Sequence, residues 1–331
     1  MAMRSIHRFS ANEYTPLIRD QMPATRRMVA QSPSSPIYSP NESDVTIRAS
    51  DHRSSTPSTP RVRIIPPQHH SRSPRDSPTN PIIPTSQRRR FIILTGATGT
   101  AGSAVLTNAL ASPLISHVTV LARRAPAVKS DKLTTIIIPS DEYPRGFDEI
   151  PSALVERLRG SDAVVWALGI SQTQVNKEEL HTITYDYAMA GANAFKTLGT
   201  KDKPFRFVFM SGMGATQDKP GMFTPRFAIE KGAVERELRA METDTFKTVM
   251  VRPGGIIPAP DHASNVPLMS RLGNSAASVV WPSAVIKSTD LADACLDLAV
   301  GKGWDARTPE HTIENEGLKK LAADYHASMG M

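Results

Sequence analysis

Cysteine is nearly absent from the sequence, with Cys295 the single one among 331 residues. Neither an intrachain disulfide nor a cysteine-rich zinc site can therefore form. Long apolar runs are also missing, since none approaches the roughly 20 residues that span a bilayer, and the first residues lack the apolar core of a secretory signal. We expect a cytoplasmic protein without a membrane span, in which Cys295 is a buried side chain of a helix over residues 290–300.

Lysine is absent from the first 90 residues, which contain 14 arginines, 6 acidic residues and 13 of the 27 prolines. The other 241 residues carry 25 basic and 26 acidic side chains, so this part has no basic surface for nucleic acid. Serine, proline and arginine dominate residues 1–88, and such a composition cannot bury enough apolar surface to fold. We predict a disordered tail over residues 1–88 and a folded domain over residues 89–331.

The tail contains serine and threonine residues that directly precede a proline. They are Thr15, Ser32, Ser35, Ser39, Thr56, Thr59, Ser73 and Ser77. One interpretation is a target of proline-directed kinases, in which phosphates beside arginines create a docking site for a partner; the other is composition alone. The arginine-rich start is similar to a mitochondrial presequence, although Glu13 and Asp20 interrupt it, so mitochondria are the alternative location. His69 and His70 have no further ligand nearby, and no metal site is expected.

The folded part opens with a strand, a glycine-rich turn, a helix and a second strand. Residues 91–95 form an apolar run, residues 104–111 have a helical pattern, and residues 117–121 are apolar again. Between the first two lies Gly96-Ala-Thr-Gly-Thr-Ala-Gly102, the spacing that holds a dinucleotide pyrophosphate at a helix N-terminus. The alternative is a tight turn without a ligand. The expected cofactor contacts are Gly96, Thr98, Gly99, Thr100, Ala101 and Gly102.

Two arginines at the end of the second strand indicate which dinucleotide binds. NAD-binding domains carry an acidic residue there for the ribose 2′-hydroxyl, whereas this chain has Arg123 and Arg124. Arginine can hold a 2′-phosphate with two hydrogen bonds. We therefore expect NADP(H) in preference to NAD(H). The alternative is that both arginines lie on an exposed turn without a ligand.

Further apolar runs continue the alternation of strands and helices. Four more strands are predicted over residues 132–138, 162–168, 205–210 and 246–251, with helices over residues 152–159, 177–198 and 225–241. Six strands with helical crossovers predict an α/β fold with a doubly wound parallel sheet of Rossmann type. Ligands bind at the carboxyl ends of such strands, which adds Leu168, Gly169, Ser211 and Pro253 to the site. Residues 255–287 are irregular and predict a small substrate-side lobe, and residues 310–314 predict a last strand.

Residues 91–325 resemble the atypical short-chain dehydrogenase/reductases, in particular the Tat-interactive-protein-like oxidoreductases. The resemblance leaves the tail out. Its carriers are Gly96-Ala-Thr-Gly-Thr-Ala-Gly102, Leu121-Ala-Arg-Arg124, Ala167-Leu-Gly169, Tyr185-Asp186, Met210-Ser-Gly-Met-Gly-Ala215, Lys231-Gly-Ala-Val-Glu235, Val251-Arg-Pro-Gly254 and Glu314-Asn315.

The resemblance implies a Tyr-x-x-x-Lys pair and a serine as catalytic groups. Lys231 matches the lysine, which in the family holds the nicotinamide ribose, but Phe227 stands at the tyrosine position. The family commonly has two adjacent serines after the fifth strand, and this chain has Ser211 and Gly212. Ser211 and Lys231 are therefore the catalytic candidates, with a structural or cofactor-contacting role as the alternative for Ser211.

Other side chains offer replacements for the missing hydroxyl. Tyr185 and Tyr187 lie on the helix after the fourth strand, and His181 lies one turn before Tyr185. One tyrosine could reach the site, although packing between helices is the usual role of such a residue. Phe227 either packs beside the nicotinamide or belongs to the core.

Three functions follow as hypotheses. The first is an NADP(H)-dependent oxidoreductase that acts on a small carbonyl or alcohol with a proton donor other than residue 227. The second is a dinucleotide-binding protein with little or no turnover, which presents its tail to partners. The third, on fold analogy alone, is a sugar-nucleotide epimerase-like isomerase. A homo-oligomer is also expected from the resemblance.

Overall fold

A seven-stranded parallel sheet forms the centre of the fold in the computed structural model, which describes residues 89–260 and 282–329. In these ranges the strands, in chain order, are β1 (Arg90–Thr95), β2 (Ile115–Ala122), β3 (Leu133–Ile137), β4 (Ala163–Trp166), β5 (Phe205–Met210), β6 (Phe246–Arg252), β7 (Gly255–Ile257), β8 (Val285–Lys287) and β9 (Thr312–Glu314). The order across the main sheet is β3-β2-β1-β4-β5-β6-β9, and β7 pairs with β8 in a second, parallel pair. The doubly wound Rossmann sheet that the sequence predicted is confirmed.

Helices cover both faces of the sheet. They are α1 (Thr100–Ala111), α2 (Ser152–Arg157), α3 (Lys177–His181), α4 (Tyr187–Phe195), α5 (Arg226–Ala240), α6 (Ser288–Val300) and α7 (Asn315–Met329). Helices α1, α6 and α7 pack on one face and α2, α4 and α5 on the other. Alternate residues of one strand serve the two cores: Ile92 and Leu94 of β1 face α1, whereas Ile93 faces the opposite layer. Strands buried on both faces must be apolar throughout, which explains their near-continuous apolar runs.

Helix α6 is buried along almost its whole length between the sheet and its neighbours α1 and α7. Cys295 lies in its middle with no exposed surface, as the sequence predicted. Burial raises the pKa of the Cys295 thiol to about 12, so this side chain is an inert apolar group. The helix ends at Val300 and is capped by Gly301, whose φ of 94° is the left-handed conformation that favours glycine.

The single helix predicted over residues 177–198 is wrong in two respects. A π-helix over Thr182–Asp186 separates α3 from α4, and α4 ends at Phe195. The start is specified locally, because Asn176 and Glu179 form a capping box. A π turn contains about one residue more than an α-helical turn. A search for apolar residues at a spacing of 3.6 does not reveal one extra residue.

Other expectations also need correction. The last strand predicted over residues 310–314 is β9, which joins the main sheet beside β6 as its seventh strand, whereas the helix α7 that follows it has no counterpart among the predicted elements. The stretch over residues 255–287 is not irregular throughout, because its ends form β7 and β8; residues 261–281, like the tail over residues 1–88, lie outside the described ranges. Within the described ranges, none of the helices is both long and apolar enough to cross a membrane.

Candidate functional site

The glycine-rich loop after β1 is compact where two of its glycines contact backbone. Gly96 has a φ of 69°, and a Cβ there would lie 2.3 Å from the carbonyl oxygen of Ala167. A Cβ on Gly102 would lie 2.1 Å from the carbonyl oxygen of Gly96. Gly99 has more room, with that same oxygen at 3.4 Å as its nearest neighbour. The loop therefore needs glycine at positions 96 and 102 for its own geometry, and Gly99 leaves an open face toward a ligand.

Helix α1 begins at Thr100 with Gly99 as its N-cap, and no side chain caps it. The amides of Thr100, Ala101 and Gly102 in the first turn have no intrahelical acceptor. Such a helix end presents N–H donors and a partial positive charge to a phosphate. Thr98, next to this end, is exposed. The loop and the helix end together form a cradle that fits a pyrophosphate.

The crevice beside this cradle lies where the strand order reverses between β1 and β4. The backbone amide of Leu168 donates a hydrogen bond to the Thr95 hydroxyl at 3.2 Å, which ties the ends of the two strands together. Gly169 follows, and a Cβ on it would meet nothing within 4 Å. Leu168 and Gly169 thus border an open space at the topological switch point, where ligands of such sheets bind.

Arg123 and Arg124 follow the last residue of β2 and are both exposed. Neither makes a hydrogen bond or ion pair with another residue in the described ranges. Burial raises the pKa of Tyr187, as does the charge of Asp148, and the charge of Arg123 opposes this shift. Arg123 therefore lies near Tyr187, with its guanidinium available to an anionic group. These features and the glycine cradle fit a nicotinamide dinucleotide.

Lys231 is held at the carboxyl end of β5. Its ammonium donates hydrogen bonds to the carbonyl oxygens of Ser211 at 2.6 Å and Met210 at 3.2 Å. Burial lowers the pKa of Lys231 to about 8, against the opposing charge of Glu235. The structure thus brings Lys231 and Ser211 together, but through the serine backbone. Its contact with the nicotinamide ribose stays a prediction.

The Ser211 side chain points to Glu235. Its hydroxyl donates to Oε1 of Glu235 at 2.5 Å, and both residues are buried. Arg252 holds the same carboxylate with two hydrogen bonds, which raise the pKa of Arg252 above its usual value. This geometry favours the structural alternative for Ser211. In the sequence, Glu235 and Arg252 stand only within the motifs that carry the family resemblance, and no local pattern predicts a role for them. Pro253, next to Arg252, accepts a hydrogen bond from the Met213 amide at 2.8 Å.

Positions 227 and 212 lack hydroxyl groups beside Lys231. Phe227 lies one turn before Lys231 on α5 and is half-buried, and its amide donates to Oε1 of Gln172 at 3.2 Å. A Cβ on Gly212 would lie 3.7 Å from Nζ of Lys231, which is ordinary contact. A small side chain at position 212 would therefore fit beside the ammonium.

The alternative tyrosines have other neighbours. Tyr185 stacks on His181, with ring centroids 5.1 Å apart, and His181 Nδ1 lies 2.7 Å from the buried carboxylate of Glu230. Tyr187 packs against Phe147, with ring centroids 5.7 Å apart. Burial raises the pKa of both phenols. His181 therefore links Tyr185 of the π-helix to Glu230 of α5.

Comparisons with known proteins agree with this geometry. A family model described as NAD(P)H-binding matches residues 96–300. The mitochondrial protein FMP52 of Candida albicans is 28% identical over 242 residues, which cover 69% of this chain and 96% of that protein. Its Aspergillus niger counterpart, also named mitochondrial, is 30% identical over 169 residues, which cover 49% of this chain and 65% of that protein.

Solved structures are similar in fold at low sequence identity. A short chain dehydrogenase from Leptospira borgpetersenii with bound NAD+ superposes with a TM-score of 0.53 at 13% identity and covers 71% of this chain and 94% of its own. The aldohexose dehydrogenase of Thermoplasma acidophilum gives 0.52 at 14% identity, over 72% of this chain and 96% of its own. The resemblance to short-chain dehydrogenase/reductases is thus confirmed at the level of the fold.

Proposed function

The chain belongs to the NAD(P)H-binding family, and from that premise we propose that it binds NADP(H) and interconverts a small carbonyl compound and its alcohol. The observation that carries the proposal is the combination of an open glycine cradle with two unpaired arginines at the end of β2. The cradle holds the pyrophosphate. The guanidinium groups of Arg123 and Arg124 hold the 2′-phosphate that distinguishes NADP(H) from NAD(H).

The remaining site residues orient the reacting end. When bound, the dinucleotide supplies or accepts the hydride. Leu168 and Gly169 border the crevice at the switch point, and Lys231 fixes the carboxyl end of β5 through two carbonyl oxygens. Because Phe227 has no proton to give, the proton on the substrate oxygen comes from another group.

A second candidate function is dinucleotide binding without turnover. Phe227 and Gly212 lack hydroxyl groups, and the Ser211 hydroxyl is held by Glu235. A site without a positioned proton donor loses the roughly 100-fold or greater contribution that general acids supply. Such a protein would sense the nucleotide and act through partners of its tail.

The location we propose is mitochondrial rather than cytoplasmic. The similar proteins of Candida albicans and Aspergillus niger are both named mitochondrial. The first 90 residues are rich in arginine and serine, as import sequences are, with 14 arginines against 6 acidic residues. Imaging of the full chain beside a chain lacking residues 1–88 tests this: mitochondrial signal in the first and its loss in the second support import.

Nucleotide titration tests the function itself. The full chain and an Arg123→Ala/Arg124→Ala variant are titrated with NADPH and with NADH by fluorescence. We expect NADPH to bind more tightly than NADH, and the variant to lose affinity for NADPH alone. Equal affinities in wild type and variant would remove the assignment of the arginines. Consumption of NADPH with a panel of carbonyl compounds then separates the enzyme from the binding protein.

A further inference from the structure

Exposed apolar side chains concentrate on the loop between β5 and α5. Of the six large apolar side chains that are exposed in the described ranges, three lie here: Met213 at 46%, Met222 at 93% and Phe223 at 92%. Single exposed apolar residues are ordinary, whereas exposed apolar side chains grouped on one loop are typical of a surface that binds a ligand or another protein.

Met222 and Phe223 are presented by a turn. The Thr224 amide donates to the carbonyl oxygen of Gly221 at 3.1 Å, which places the two apolar residues at the central positions. Glycine, proline, asparagine, aspartate and serine dominate such positions because they suit the backbone and water. The pair therefore does not serve the turn itself. Pro225 follows the turn, and helix α5 begins at Arg226, so that Phe227 lies in its first turn.

Two backbone hydrogen bonds hold the loop beside the candidate site. The Met213 amide is held by the carbonyl of Pro253 at 2.8 Å, and the Thr216 amide by the carbonyl of Ala228 at 3.2 Å. Gly212, one residue before Met213, borders the ammonium of Lys231. We call Met213, Met222, Phe223 and Phe227 the apolar rim. Arg226, the cation at the start of α5, is paired with Glu230 at 3.2 Å and so is not offered to an anionic ligand.

We propose that the apolar rim binds the substrate, which is therefore an aromatic or long-alkyl carbonyl compound rather than a sugar or another polar metabolite. This inference rests on the proposed function. The rim is continuous with the site along the chain. Met213 follows Gly212, which borders the ammonium of Lys231, and Met222 and Phe223 lie on the same loop, just before the first turn of α5 that carries Phe227. Transfer of an apolar substrate from water to exposed methionine and phenylalanine side chains provides the binding energy.

A calorimetric comparison of two ketones tests the proposal without turnover. The full chain is first titrated with NADP+ and then, when loaded, with 2-acetylnaphthalene or with dihydroxyacetone. The variant is Met222→Ser/Phe223→Ser, with Phe223→Ala as a milder form. The matched control is Phe91→Ser, which removes another apolar side chain that is 46% exposed, at the start of β1.

We expect 2-acetylnaphthalene to bind and dihydroxyacetone not to bind. The double variant should lose about tenfold or more in affinity for the apolar ketone, while NADP+ affinity stays equal in all proteins and Phe91→Ser behaves as wild type. Unchanged ketone affinity in the double variant, or preference for dihydroxyacetone, overturns the inference alone. Association of the wild type that the double variant abolishes, without a change in ketone affinity, assigns the rim to a second copy and also overturns it. Absence of NADP+ binding overturns the proposed function and this inference with it.

Discussion

The hydroxyl of Ser211 donates to the carboxylate of Glu235 across 2.5 Å, inside the protein. The same carboxylate accepts two hydrogen bonds from Arg252. Three elements, β5, α5 and β6, are therefore joined by one buried charged group. The family resemblance implies a catalytic hydroxyl at the position after β5. In this protein the hydroxyl at that position, on Ser211, is bound to Glu235 in this junction.

Replacement of Ser211 by alanine tests that commitment. Because buried Glu235 would lose a donor, we expect Ser211→Ala to lower the free energy of unfolding by about 1–3 kcal/mol. NADPH affinity should stay as in wild type. Urea unfolding and nucleotide titration measure the two effects. Loss of nucleotide binding at unchanged stability would instead place the hydroxyl in the site.

Glu235→Ala removes the centre of the junction. Arg252 would keep its charge in a largely buried position without this partner, and broken buried pairs cost about 3–5 kcal/mol. Glu316→Ala is the matched control, because Glu316 pairs with Lys319 while 65% of its side chain is exposed; such a pair contributes at most about 1 kcal/mol. Similar unfolding midpoints for both variants would show that the junction does not stabilise the fold.

The glycines of the loop have two different roles, one in the folding of the loop and one in nucleotide binding. Gly102→Ala would place a Cβ 2.1 Å from a backbone oxygen, so we expect a strongly destabilised protein. Gly99 has a φ of −85° and space for a Cβ, so Gly99→Ala should fold normally and bind NADPH more weakly, since the methyl group occupies the open face. Thermal unfolding and NADPH titration distinguish the two. Normal NADPH affinity in Gly99→Ala would contradict the position assigned to the pyrophosphate.

A feature of the fold or of the site could be predicted from the sequence when the residues that form it are close together in the chain. The glycine loop is a local pattern that the sequence shows directly, and Gly102 is confined by the carbonyl oxygen of Gly96 in the same loop. Gly96 itself is confined by the backbone of Ala167, which follows β4 and is distant in the sequence. The Ser211–Glu235 bond joins residues 24 positions apart, and Gln172 reaches Phe227 across 55 positions. Such contacts depend on how the helices pack against the sheet. The spacing of apolar residues along the chain does not specify these contacts. The π turn at Thr182–Asp186 was not predicted either, because the extra residue in the turn leaves the apolar composition of the segment unchanged.

Stability should depend on pH through Lys231. Its pKa is lowered from 10.5 to about 8 in the folded state, so between these values the unfolded chain binds the proton that the folded chain has released. The free energy of unfolding therefore rises with pH across this window, by up to about 3 kcal/mol, and is flat in this respect below pH about 8. Lys231→Met lacks the group, so its unfolding curves should show less of this rise. Urea unfolding from pH 7 to 10.5 checks this, and parallel pH profiles would contradict it.

Hydroxyl groups restored at positions 227 and 212 should increase turnover. Phe227→Tyr places a phenol one turn before Lys231, and Gly212→Ser adds a side chain where a Cβ has 3.7 Å to Nζ of that lysine. A positioned general acid contributes about 100-fold or more, so we expect the double variant to reduce a carbonyl compound at least about 100-fold faster than wild type, with equal NADPH affinity. Phe227→Leu in the Gly212→Ser background is the control for packing. An equal rise in that control would assign the effect to space rather than to the proton. No rise in either protein would mean that residue 227 does not face the reacting oxygen.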